Sequence, residues 1–96
     1  MFCVQGVSKL KVPEGKLVIV KVSYSDKIER LQILGDFFIH PEESLSLIEA
    51  LFIGSQINLT KAEVSGRIDS IARKNGIEMI GVTPDAMAEA ILMAIK

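Results

Sequence analysis

The sequence has a single cysteine, a single histidine, one tyrosine and no tryptophan. One thiol, Cys3, excludes an internal disulfide and any multi-thiolate metal site. With His40 the only histidine, a Ser–His or Cys–His relay would have to run through that one residue. There is no phosphate-cradling glycine loop and no dinucleotide-binding glycine fingerprint; the seven glycines stand singly, mostly at turn positions. Cys3, His40 and the carboxylates show no metal-ligand spacing, so the expectation is no metal site. An excess of one charge is also missing. Eleven basic residues stand against twelve acidic ones, a net charge of −1, which argues against nucleic acid as a partner. No apolar run approaches the roughly 18 residues of a membrane span. The start, Met1-Phe2-Cys3-Val4-Gln5, has no basic and apolar signal pattern, so the expected location is cytoplasmic, with no membrane partner.

What is present is a 96-residue chain that is 49% apolar and 24% charged, read as one domain over 1–96. Its apolar content points to a surface made to be covered. Residues 4–12 read as a first strand, with Val4, Leu10 and Val12 on alternate positions and Gly6 and Ser8 interrupting. Pro13-Glu14-Gly15 is turn chemistry. Residues 16–24 alternate cleanly, with Val18, Val20, Val22 and Tyr24 on one face. Lys27 to Leu34 forms the partner strand, in which Leu31 and Ile33 alternate with Arg30 and Gln32. The economical arrangement is a three-stranded antiparallel meander, and Phe37-Phe38-Ile39 resumes the last strand after a bulge at Gly35-Asp36.

Three helices follow. Pro41 precedes Glu42 and Glu43, taken as first-turn acids, and Leu45, Ile48 and Phe52 then share a stripe that ends at Gly54. Thr60 with Glu63 fits a capping box, followed by Val64, Ile68, Ile71 and Ala72 and a stop at Asn75-Gly76. Thr83-Pro84-Asp85 reads as an N-cap with proline in the first turn, opening a helix with Met87, Ile91, Ala94 and Ile95 on one face. The segment Ile77 to Val82 fits either a strand or a packed loop. Strands first and helices last give an α+β domain, a small antiparallel sheet with three helices on one face.

Catalytic groups are scarce, so the chain reads as a binding or accessory module. His40 at a strand-to-helix junction suits a junction or interface, and Asp36 suits a turn or a partner contact. In a strand, the consecutive Phe37 and Phe38 point to opposite faces. One enters the core; the other is covered by helix packing or serves as an interface anchor. Cys3 reads as a small apolar residue or a reactive thiol, and no basic neighbour in sequence activates it.

The tetrad Gly35-Asp36-Phe37-Phe38 closes a strand. Pro41 then opens a helix bearing Leu45, Ile48, Glu49, Leu51 and Gly54. With Lys11-Val12-Pro13-Glu14-Gly15-Lys16-Leu17 upstream and the Thr60 and Thr83-Pro84-Asp85 helices downstream, this resembles the accessory domain of lipoate–protein ligases over nearly the whole chain. The hairpin turn Ser25-Asp26-Lys27 departs from the more usual glycine-containing turn, and the 96 residues hold no catalytic ligase domain. The resemblance therefore implies a free-standing, non-catalytic small subunit of a bipartite enzyme. It implies a fold related to iron–sulfur scaffold and sulfur-acceptor proteins. It implies a heterodimer with a catalytic large subunit that holds ATP, Mg and lipoate and forms lipoyl-adenylate. This chain then binds no cofactor alone and meets lipoyl-acceptor domains only indirectly; the apolar Phe pair beside a polar turn leads us to expect Asp36, Phe38 and His40 near the interface with the large subunit. The alternative is a sulfur-acceptor or iron–sulfur assembly protein that uses Cys3.

Overall fold

A computed structural model describes residues 3–11 and 16–95. The turn expected at Pro13-Glu14-Gly15, and Val12, lie outside the described residues. The order of elements is β1 (Val4–Lys11), β2 (Leu17–Tyr24), β3 (Ile28–Gly35), β4 (Phe38–His40), α1 (Ser44–Leu51), α2 (Lys61–Asn75), β5 (Glu78–Ile80) and α3 (Pro84–Ala94). Strands β1, β2 and β3 form an antiparallel meander. The β2 alternation does what its pattern requires, burying Val18, Val20, Val22 and Tyr24 on the helix side beside Leu31 and Ile33 of β3. This is the three-stranded, three-helix α+β architecture read from the sequence.

Helix α3 lies on β1 and β2, α2 packs on α3, and α1 sits against β3. The close approach of α3 explains two residues that interrupt the β1 alternation. Gly6 faces Val22 across the pair and leaves room for the carbonyl of Ala94. Ser8 is buried, and its hydroxyl donates to the Ala90 carbonyl at 2.6 Å. A buried hydroxyl with a partner is tolerated, whereas an unpaired one is costly. Both residues belong to the core face after all. On α3 the matching positions are the buried Ala90 and Ala94, small enough to let helix and sheet meet.

Two expectations are corrected. Phe37-Phe38-Ile39 does not resume β3. Gly35, at φ 153°, turns the chain out of the meander, and Phe38–His40 pairs with Glu78–Ile80 as a separate two-stranded ribbon. That pairing settles Ile77 to Val82 as a short strand with flanking residues. The irregularity in the meander lies instead near the hairpin, where Ser23 opposes Arg30 and Tyr24 opposes Ile28, leaving Glu29 as the extra residue of a bulge. Secondly, Glu42 and Glu43 are not in the first turn of α1. They form a tight turn in which the N–H of Ser44 donates to the Pro41 carbonyl, and the helix starts at Ser44 with Glu43 as an N-cap that makes no side-chain bond.

The other helix signals hold. Thr60 caps α2 in a reciprocal box with Glu63, Gly76 ends it in the left-handed conformation, and Thr83 caps α3 with Pro84 in the first turn. The Thr60 backbone N–H and hydroxyl hold the Glu63 carboxyl below the usual range. The stabilisation is therefore complete above the ordinary carboxylate range and is lost as pH falls through that lowered value. Thr60→Ala is expected to lower stability by about 1 kcal/mol. Urea titrations should show this as a reduced midpoint at neutral pH, with a smaller deficit in acid.

Candidate partner-binding surface

The ribbon of β4 and β5 builds the surface. Its inner side carries Ile39, which is buried, and Met79, which is partly buried against the core. Period-two alternation then forces Phe38 and His40 to the other side, with their cross-strand partners Ile80 and Glu78. Phe38 is 63% exposed and Ile80 46%, so the ribbon presents an apolar cross-strand pair to solvent, with His40 opposite Glu78 at its other end. Phe37 points the opposite way from Phe38. It is half-buried, and its ring lies over Gly35 while its backbone passes Gly81. Phe37, just before β4, packs inward and Phe38 outward, and the outer one is not covered by helix packing.

Asp36 occupies the exposed turn before β4, and its backbone N–H donates to the Leu17 carbonyl at 3.0 Å. Asp36, Phe38 and His40 are therefore all exposed, with Phe38 and His40 on one side of the ribbon. A small cleft lined by Phe37, Phe38, Ile39, His40, Glu42 and Leu45 joins the ribbon to the entry of α1. Sequence reasoning missed Ile80 and Glu78. The apolar run Ile77 to Val82 was the available signal, but nothing local said that it pairs with the Phe38 strand.

Cys3 lies apart from this surface. Its thiol donates to Glu29 Oε1 at 3.0 Å, and the Ser25 hydroxyl donates to Glu29 Oε2 at 3.0 Å. The adjoining carboxylate pushes the thiol pKa up, first through that hydrogen bond. Glu29 is correspondingly held below the usual carboxylate range by the thiol and then by Ser25. A sulfur acceptor needs the thiolate, so this neighbourhood works against the chemistry that the alternative asks of Cys3. Among the described residues, no three His, Cys, Asp or Glu side chains gather as a metal site. Among them, too, no helix is long and apolar enough to cross a membrane.

Architecture and surface together define a small helix-backed antiparallel domain that offers an apolar contact ribbon. No protein-family model and no curated protein matches the chain. It is similar in structure to a chain from a solved archaeal lipoylation system, a bi-partite lipoate protein ligase and its E2 lipoyl domain from Thermoplasma acidophilum. The TM-score is 0.76 at 24% identity, over 94% of this chain and 97% of that one. The two chains share a fold over almost their entire lengths.

Proposed function

We propose that this chain is the non-catalytic small subunit of a bipartite lipoate–protein ligase. The observation that carries the reading is the end-to-end fold match to a chain of such a system. The tetrad Gly35-Asp36-Phe37-Phe38 and the ribbon it leads into support it. ATP, Mg and lipoate are held by the large subunit, which forms lipoyl-adenylate, and this chain contributes binding energy. It docks through Phe38 and Ile80, with Asp36 and His40 beside them, and holds the large subunit in its activation-competent state. A partner can shift a conformational equilibrium only by its differential affinity for the two states, and each tenfold difference corresponds to about 1.4 kcal/mol. Acceptor domains receive the lipoyl group from the complex, which works in the cytoplasm.

The test is lipoate-dependent adenylation by a large subunit from the same source, with and without this chain. Adenylate should form only when both are present, the two should co-elute as a heterodimer, and Cys3→Ser should change neither result. A large subunit that is fully active alone and forms no complex would overturn the reading. So would a lipoyl adduct on this chain itself, which would make it the acceptor.

A further inference from the structure

Strand β1 forms one side of the meander. Its eight residues pair with β2 in one unbroken register, and the bulge lies between β2 and β3. Among the described residues, no backbone hydrogen bond beyond that ladder involves β1. Every second residue of β1 therefore points its N–H and C=O outward with no strand beside it. The side chains along this edge are open as well: Val4 is 51% and Val7 59% exposed. Lysines on an outer strand commonly guard it against pairing. Lys9 and Lys11 guard only the registers that bring two lysines together.

We infer that β1 is the contact strand of a symmetric dimer, its occupant a second copy of this chain paired antiparallel about Val7. A two-fold axis normal to the sheet keeps both helix layers on one side, so residues opposite each other must share a face. Centred on Val7, the outer face then pairs Val7 with Val7, Gln5 with Lys9 and Cys3 with Lys11, while the helix face pairs Val4 with Leu10 and Gly6 with Ser8. Apolar residues meet apolar ones on both faces, and no lysine opposes another. Centred on Ser8, Val7 would face Lys9 instead; centred on Lys9, two lysines would collide. Charge adds to the match. The Cys3 thiol donates to Glu29 Oε1 at 3.0 Å, so a Lys11 arriving opposite Cys3 comes beside the Glu29 carboxylate. Neither ion pair among the described residues uses Lys11 or Glu29, and the symmetry makes two such pairs.

The helix layer fits the same axis. Helix α3 lies over both β1 and β2. With strands ~4.8 Å apart, a second copy sets the two α3 axes roughly 10 Å apart, an ordinary distance for packed helices. Ala94 sits over Gly6 and Ala90 over Ser8, so the axis at Val7 passes beside the turn between them. Met93, on that turn and 40% exposed, reaches its own counterpart there. The shared strip is about 27 Å long and roughly 15 Å deep through sheet and helix, about 400 Å² per copy against the ~800 Å² of a stable interface. The dimer is therefore weak and parts on dilution. Strand β1 shares no residue with the ribbon of Phe38 and Ile80, so this contact is distinct from the docking proposed above.

Sedimentation equilibrium of the 96-residue chain should show a reversible monomer–dimer equilibrium with a Kd of roughly 10–100 µM, in keeping with so small an interface. Val7→Lys should raise that Kd at least about tenfold by setting two cations at the axis, with the thermal midpoint unchanged because the side chain is exposed. Lys11→Glu should raise it about fivefold, and adding Glu29→Lys to the same chain should restore it to within about twofold. Register is read by copper-catalysed air oxidation in a Cys3→Ser background. Val7→Cys should crosslink into a dimer; Lys9→Cys, ~14 Å along the strand from its counterpart, should not. A chain still monomeric at roughly 1 mM would overturn the inference. So would a dimer indifferent to Val7→Lys, a Lys11→Glu loss that Glu29→Lys fails to restore, or equal crosslinking at both positions. A monomer whose Val7→Lys variant instead loses binding to a large subunit would also overturn it, assigning the edge to a strand of that protein.

Discussion

Gly6→Ala is expected to remove about 2–3 kcal/mol from a domain whose total stability lies near 5–10 kcal/mol. A methyl at this position would lie 1.8 Å from the Ala94 carbonyl oxygen and 2.9 Å from its carbon, with Val22 Cγ1 at 3.4 Å behind it. The obstructing atoms are backbone, so no side chain can rotate aside. Strand β1 is held in register by β2, and α3 is held by Ile91, Met87 and the bond from Ser8 to Ala90. Relief requires the end of α3 to lift from the sheet, which opens space above Val20 and Val22. Urea denaturation should show a midpoint lowered in proportion, with the slope unchanged. Gly66→Ala is the matched control. It adds the same methyl in the exposed middle of α2, where nothing lies within 4 Å, and should raise stability by up to about 1 kcal/mol. Equal and small effects at both sites would mean that α3 does not sit as close to β1 as described.

Phe38→Ala carries the second large effect, on binding instead of folding. With 63% of the residue exposed, truncation should change stability by no more than about 0.5 kcal/mol. A central aromatic anchor of an interface is commonly worth 2 kcal/mol or more, so affinity for the large subunit should fall by about thirtyfold. Ile80→Ala should weaken binding too, by a smaller factor. Because Ile80 faces Phe38 across the ribbon, the double variant should lose less than the two single losses combined. Asp36→Ala and His40→Ala, at the margin of the patch, should cost less than tenfold each. Titration calorimetry against the large subunit reads all five. Affinity unchanged in Phe38→Ala and in the double variant would remove the ribbon from the interface.

What the sequence discloses, and what it withholds, follows the range of the forces involved. The β2 face of Val18, Val20, Val22 and Tyr24, the Thr60–Glu63 box, the Gly76 stop and the Thr83-Pro84 start depend on residues a few positions apart, and each stands where its local pattern puts it. Gly6 and Ser8 were legible as small residues but not as core residues. Their meaning comes from Ala90 and Ala94, more than eighty residues later. The partner of β4 was hidden for the same reason, since a three-residue strand holds too little pattern to name its mate. Glu42 and Glu43 misled because acids suit both a first helical turn and the turn that precedes one. At the candidate surface, the consecutive phenylalanines were legible as a pair of opposite-facing rings, but not which of them is exposed nor that helix packing leaves it uncovered. Ile80 and Glu78 could be added only through the pairing register.

The edge of β3 has a further consequence. Its Ile33 N–H donates to the Glu49 side chain at 2.8 Å. Its Ile28 N–H and carbonyl bond to Ser55 and Gly54, and Lys27 bridges Gln56. A sheet closed in this way along one side can accept at most one added strand, on β1. Open-ended growth of a cross-strand fibre needs two free sides. Self-association by strand addition on the meander therefore terminates at a pair, because among the described residues only its β1 side is left to receive a strand.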